Sequence, residues 1–183
     1  MVGRSTRSLD RTDMTTSRLI AIITASFCSQ WLVAADAPSK DSSKVFEISV
    51  VVTDRGNAVF DNWDKPTGRA FDVSPIKLAP RGKFLSALLM FKGCAPDKLG
   101  NCNADVDIIA YDPKGNVYGK MLGVELWQQK PAPDAGFTQL SRSYMGLVIE
   151  PKDPIGTYRV TVVARDRVGK IEARAETQFQ VGM

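Results

Sequence analysis

Tyr158-Arg159-Val160-Thr161-Val162-Val163-Ala164-Arg165 and, beyond the turn Asp166 to Gly169, Ile171-Glu172-Ala173-Arg174-Ala175-Glu176-Thr177-Gln178-Phe179-Gln180-Val181 carry the pattern that decides the fold. Tyr158, Val160, Val162 and Ala164 fall on one side, and Arg159, Thr161 and Arg165 on the other. In the second stretch Ile171, Ala173, Ala175, Thr177, Phe179 and Val181 oppose Glu172, Arg174, Glu176, Gln178 and Gln180. A period of two cannot gather its apolar side as a helix, so both stretches are half-buried strands joined as a hairpin.

The same alternation recurs upstream. Val106, Ile108 and Ala110 alternate with Asp105, Asp107 and Ile109 up to Asp112-Pro113-Lys114-Gly115-Asn116, where Pro presets a turn and Gly supplies positive φ. Val117 to Trp127 continues a hairpin, a Pro-rich loop spans Lys130 to Gly136, and a further strand runs from about Tyr144 to Ile149. Phe84 to Phe91 is short, wholly apolar apart from Ser86 and bounded by Gly82 and Gly93, which predicts a central strand. Phe71 to Leu78 is interrupted by Pro75 and is expected at a sheet edge. Phe46, Ile48, Val50 and Val52 share one face ahead of turn residues Asp54 to Asn57. Seven or eight strands and no helical signal predict an all-β fold, a single antiparallel sandwich of immunoglobulin type.

Tyr111-Asp112-Pro113-Lys114-Gly115-Asn116, then Pro154-Ile155-Gly156-Thr157-Tyr158-Arg159-Val160, a turn near Gly169 and a closing Phe179-Gln180-Val181 resemble bacterial immunoglobulin-like domains and macroglobulin-like sandwich modules. The resemblance covers residues 104–181. It implies that Pro154 to Val160 begins the penultimate strand and that Tyr158 packs into the core near a sheet corner. It implies fold more than function, since such sandwiches host adhesion, scaffold, inhibitor and receptor roles. The chain lacks the thioester motif of macroglobulins and any bait region, so protease trapping gains no support. Residues 45–103 match no recognisable motif.

The N-terminus reads as an address. Arg4, Arg7, Arg11 and Arg18 precede the apolar run Leu19 to Phe27, and Val33-Ala34-Ala35 supplies the small residues of a cleavage site. Residues 1–35 are therefore expected to be a signal peptide cut after Ala35, with Ala37 as the second choice. Translation from Met14 instead of Met1 gives the same mature chain. The apolar run is about nine residues, against the roughly 20 that span a bilayer, so cleavage is preferred to an anchor. Phe27 is too bulky before Cys28 for lipoprotein processing. Residues 36–44 form a polar tail, residues 45–183 the sandwich, and the expected location is the periplasm of a bacterium or its exterior. Removing the leader takes four Arg and two Asp, which lowers the formal charge from +4 to +2 and weakens the case for a nucleic-acid partner.

The 183 residues, 44% hydrophobic and 24% charged, are those of an ordinary globular chain. Histidine is absent, which excludes Ser-His-Asp and Cys-His catalysis and His-ligated metals. In an oxidising compartment Cys94 and Cys102 are expected to pair, closing a short Pro- and Gly-containing loop. Asn101, Asn103, Asp105 and Asp107 alternate, so they offer one strand face of oxygen ligands to Ca²⁺, or simply a solvated face. Trp63 and Trp127 stand near polar loops, as platforms for a sugar or a protein, or as loop anchors. Carboxylate-only glycoside hydrolysis survives the lack of histidine, and Glu125 with Glu150 or Asp112 is the nominal pair. The expectation is a non-enzymatic, cofactor-free module that binds a protein partner. A carbohydrate or cell-envelope polymer is the alternative.

Overall fold

Eight strands and one short helix make up the architecture of the computed structural model, which describes residues 45–63, 73–134 and 136–182. In chain order these are β1 (Glu47–Thr53), helix α1 (Gly56–Trp63), β2 (Leu78–Ala79), β3 (Phe84–Lys92), β4 (Asn101–Tyr111), β5 (Val117–Pro131), β6 (Gln139–Val148), β7 (Gly156–Asp166) and β8 (Ile171–Val181). They form a β-sandwich of one three-stranded sheet, β1-β3-β6, and one five-stranded sheet, β2-β8-β7-β4-β5. Val50, Leu85, Leu89, Phe91 and Leu147 from the first sheet share a core with Val106, Ile108, Leu126, Val160, Val162 and Phe179 from the second. The inward members of β7 and β8 are those the period of two assigned, save Ile171, which is exposed at the start of β8.

The pairing is antiparallel except at one place. β2 runs parallel to β8, with Leu78 beside Gln180 and Ala79 beside Val181. The strand expected over Phe71 to Leu78 shrinks to these two residues. Residues 71–72 lie outside the described residues, and 73–77 are irregular. Pro75 has no amide hydrogen to give a ladder; beside it Ile76 N–H donates to Val52 O at 2.8 Å and Lys77 O accepts from Gln180 N–H at 2.9 Å.

The helix corrects the reading of Asp54 to Asn57 as a plain turn. From Gly56 onward the chain winds into α1, whose Val59, Phe60 and Trp63 point to one side. That side covers the outer face of the three-stranded sheet, where Leu88, Met90, Leu140 and Tyr144 form a second apolar cluster. Phe60 and Tyr144 rings lie 5.4 Å apart. A Cβ at Gly56 would stand 2.3 Å from Ser86 Oγ, so only glycine lets the helix start this close to β3. β3 is therefore apolar throughout because both of its faces are covered. The strand expected from Tyr144 begins earlier, at Gln139, and β5 extends beyond Trp127 to Pro131. The proposed leader and tail, residues 1–44, lie outside the described residues.

Candidate functional site

β4 is bounded at both ends by one local device. At Asp97-Lys98-Leu99-Gly100-Asn101, Asp97 Oδ1 accepts from the amides of Leu99 at 2.8 Å and Asn101 at 2.9 Å, and Asp97 N–H donates to Asn101 O at 2.8 Å. At Asp112-Pro113-Lys114-Gly115-Asn116, Asp112 Oδ1 accepts from Lys114 and Asn116, both at 2.8 Å, and Asp112 N–H donates to Asn116 O at 2.9 Å. The glycines have φ of +84° and +85°, a conformation that other L-residues adopt only with strain. The second turn was legible as Pro and Gly punctuation. The first was read only as a cysteine-bracketed loop, although the repeated Asp-x-x-Gly-Asn spelling was there to find.

Around the first turn the chain gathers a rigid set of loops. Cys94 and Cys102 face each other at disulfide distance, with Cα atoms 5.9 Å apart, and both side chains are buried. Asp166, at the end of β7 and only 2% exposed, accepts from the amides of Ala95 at 2.7 Å and of Val168 and Gly169 at 3.0 Å. One carboxylate thus ties the β3–β4 loop to the β7–β8 turn. Ala132 N–H donates to Gly100 O at 2.9 Å, which brings in the loop after β5. Connections from three parts of the sequence meet at this cysteine end. At its tip Leu99 is 84% exposed, and Phe137, in the loop leading to β6, is 64% exposed.

Trp127 belongs to this end as an anchor. Its indole N–H donates to Pro131 O at 3.0 Å, its ring lies 5.5 Å from that of Phe91, and Lys130 Nζ sits 5.0 Å above it. The ring is half-buried, so what it offers a ligand is limited. Trp63 lies elsewhere, half-buried in the cluster under α1. The two tryptophans belong to separate apolar clusters and make no joint platform.

The oxygen ligands of β4 fall on one face, as their alternation required, but the sheet brings cations to them. Arg165 on β7 bonds Asp105 at 3.2 Å and, more closely, Asp107; Arg167 bonds the other oxygen of Asp105. The Asp107 carboxyl is held below the usual carboxylate range, chiefly by the Arg165 hydrogen bond. Among the described residues no group of three or more Asp, Glu, Cys or His is placed to hold a metal ion. The face that the sequence offered to Ca²⁺ or to solvent carries an ion-pair network extended to Glu172 on β8, 3.6 Å from Arg165 Nε. The arginines were invisible as partners because they stand some sixty residues away in sequence.

The nominal carboxylate pair is also separated. Glu125 pairs in register with Asp105 and carries an ion pair to Lys130 at 2.7 Å, whereas Asp112 lies past the far end of β4. Seven residues of strand put them roughly 20 Å apart. Glu150, in the β6–β7 loop, pairs with Lys152 at 2.8 Å.

The end opposite the cysteines is held by side chains. Tyr158, 1% exposed, stacks on Phe179 at 5.6 Å and donates its hydroxyl to Pro154 O at 2.9 Å. Tyr118 meets Asp153 Oδ2 at 2.6 Å, and Arg81 donates to Pro151 O at 2.7 Å and Asp153 O at 2.9 Å. Burial, then the Asp153 hydrogen bond, raises the Tyr118 hydroxyl well above its ordinary value; the same bond lowers Asp153.

No protein-family model matches the sequence, and no curated protein matches it. Solved structures similar to it include the Pseudomonas fluorescens alkylpurine DNA glycosylase, 14% identical, with a TM-score of 0.42 over 75% of this chain and 30% of that one. A Niemann-Pick type C2 protein from the Japanese carpenter ant is 8% identical, with a TM-score of 0.41 over 75% and 93% of the two chains. The CARDB domain of a Pyrococcus furiosus protein is 9% identical, with a TM-score of 0.37 over 75% and 88%. The likeness is one of β-sandwich architecture alone. Among the described residues no helix is long and apolar enough to cross a membrane.

Proposed function

We propose that this chain is an exported, non-enzymatic immunoglobulin-like domain that binds a protein partner through its cysteine end. Three features support the immunoglobulin-like assignment. The sheets divide as β1-β3-β6 and β2-β8-β7-β4-β5, a buried tyrosine stands third in the penultimate strand, and that tyrosine's hydroxyl bonds back to the chain four residues upstream. In such a topology the β3–β4, β5–β6 and β7–β8 connections meet at one end, and loops on a rigid scaffold are where binding residues concentrate.

Leu99 carries the functional reading. Lys114 fills the same place in the matching turn at the other end of β4 and is solvated, so the turn geometry asks for nothing apolar there. Leu99 instead stands bare on a loop held by the cysteine pair and Asp166. A preorganised loop loses little conformational freedom on binding, and an apolar side chain in water gains by being covered. Phe137 at the same end adds aromatic area.

Crosslinking of the tagged protein in its own cells, followed by mass spectrometry, tests the reading. The wild type is expected to capture one dominant protein, lost in Leu99→Asp combined with Phe137→Ser and retained in Lys114→Ser. Capture that is indifferent to Leu99 and Phe137, or recovery of envelope polysaccharide alone with loss in Trp127→Ala, would overturn it.

A further inference from the structure

The five-stranded sheet ends in a strand that is covered along only part of its length. β2 pairs with β8 at Gln180 and Val181, and Gln180 N–H donates to Lys77 O at 2.9 Å. Along its other side β8 is bonded to β7 from Ile171 to Val181. Alternate residues of an antiparallel strand direct their main-chain groups to opposite edges. Residues in step with Gln180, namely Glu172, Arg174, Glu176 and Gln178, therefore aim their N–H and C=O groups outward. Among the described residues no other strand pairs with this edge. By contrast the edge strand β5 shifts register against β4 at four points, which spoils it as a flat template.

An open, regular edge recruits another strand unless its charges repel one. Here the outward side chains alternate in sign: Glu172, Arg174, Glu176, then neutral Gln178. Arg174, its side chain 73% accessible, pairs with Glu172 within the strand, and Glu176 pairs with Arg159 on β7; both pairs lie in water, where they can exchange partners. The inward residues Ala173, Ala175 and Thr177 are small and half-buried, with β1 of the facing sheet packed close against β8.

We propose that β8 pairs antiparallel with β8 of a second copy of this chain, about a two-fold axis at Ala175. That register sets Arg174 opposite Glu176 of the second copy, twice by symmetry, and Glu172 opposite Gln178. Moving the axis one residue to Arg174 opposes Arg174 to itself and Glu172 to Glu176, which is repulsive. An axis at Ala173 also joins opposite charges, but it runs into the β7–β8 turn, where Lys170 leaves strand geometry at φ +55°. With the axis at Ala175, the second copy's strand begins at its Ile171 opposite Phe179, one residue short of β2. The ladder spans residues 172–178 with about eight main-chain hydrogen bonds and joins both five-stranded sheets into one. This pairing is independent of the cysteine end, which stays open in each copy.

Analytical ultracentrifugation of the purified chain over a wide concentration range is the test. The wild type is expected to pass from monomer to twice that mass, with the transition moved to higher concentration by salt. Arg174→Glu opposes like charges at both symmetric positions and is expected to weaken the association about tenfold or more. The double exchange Arg174→Glu with Glu176→Arg restores opposite charges and is expected to restore the dimer, which a merely structural effect of Arg174 would not do. Strand content by circular dichroism confirms that each variant is folded; if Arg174→Glu is not, the double exchange and the salt series decide. A wild type that stays monomeric overturns the proposal. A dimer indifferent to Arg174→Glu, or one the double exchange fails to restore, overturns it as well.

Discussion

The two ends of β4 carry the same turn and are secured by opposite means. At Asp112 to Asn116 the surroundings are held by polar side chains: Arg81, Tyr118 and Tyr158 all reach the β6–β7 loop. At Asp97 to Asn101 they are held by a cysteine pair and the buried Asp166. The difference shows in what each turn presents at its third position, a solvated lysine in one and a bare leucine in the other. The amide-to-carboxylate bonds of the turn are made in both, so they do not explain the leucine.

If that contrast is correct, the largest stability effect belongs to Asp166. Asp166→Ala leaves three amides without their acceptor, and a cost of about 3 kcal/mol is expected in denaturant unfolding. A cost under about 1 kcal/mol would mean that the loops of the cysteine end are not tied through it. Replacing Cys94 and Cys102 together by alanine is expected to remove about 2.5 kcal/mol, the chain-entropy estimate for a loop this short. Its effect should concentrate in hydrogen exchange of residues 93–101 and leave the Asp112 turn unchanged. Equal protection losses at both ends would break the comparison.

Smaller effects sharpen it. Gly100→Ala and Gly115→Ala meet no atom within 4 Å, so each costs only the strain of positive φ, about 1 kcal/mol. Matching values by thermal melting are expected if the turns are equivalent, and a twofold disparity would show that they are not. Tyr158→Phe, which keeps the stacked ring and removes the bond to Pro154, is expected to cost about 1 kcal/mol. The smallest effect is a pH dependence. Asp112 is held below the usual range chiefly by the Asn116 side chain, and Asp153 chiefly by the Tyr118 hydroxyl. Folded values below unfolded ones give stability that is full above about pH 4 and fades as pH falls through the folded values. Asp112→Asn should flatten part of that acid slope, and an unchanged slope would contradict the assignment.

What could be read from the sequence follows from where each pattern has its cause. β7 and β8 were legible because one face meets core and the other water. The apolar run of β3 was legible as a central strand, but the cover on its outer face was not. That cover is α1, eight residues long, too short to show a helical period, and opening with Gly56 and Asn57, which punctuate turns as readily. Its Val59, Phe60 and Trp63 acquire meaning only beside Leu88 and Tyr144. The oxygen face of β4 was legible as a face, solvated or open to Ca²⁺, but its arginine partners were not, because Arg165 and Arg167 arrive by sheet register. Leu99 drew no attention because an apolar residue in a loop is unremarkable until its twin at Lys114 is superposed on it.

The contrast between those two turns is tested most directly by placing a photo-crosslinking amino acid at position 99 and, separately, at position 114, then irradiating intact cells. The account predicts a single crosslinked protein band from position 99 and none from position 114. The same band from both positions, or from position 114 alone, would contradict it.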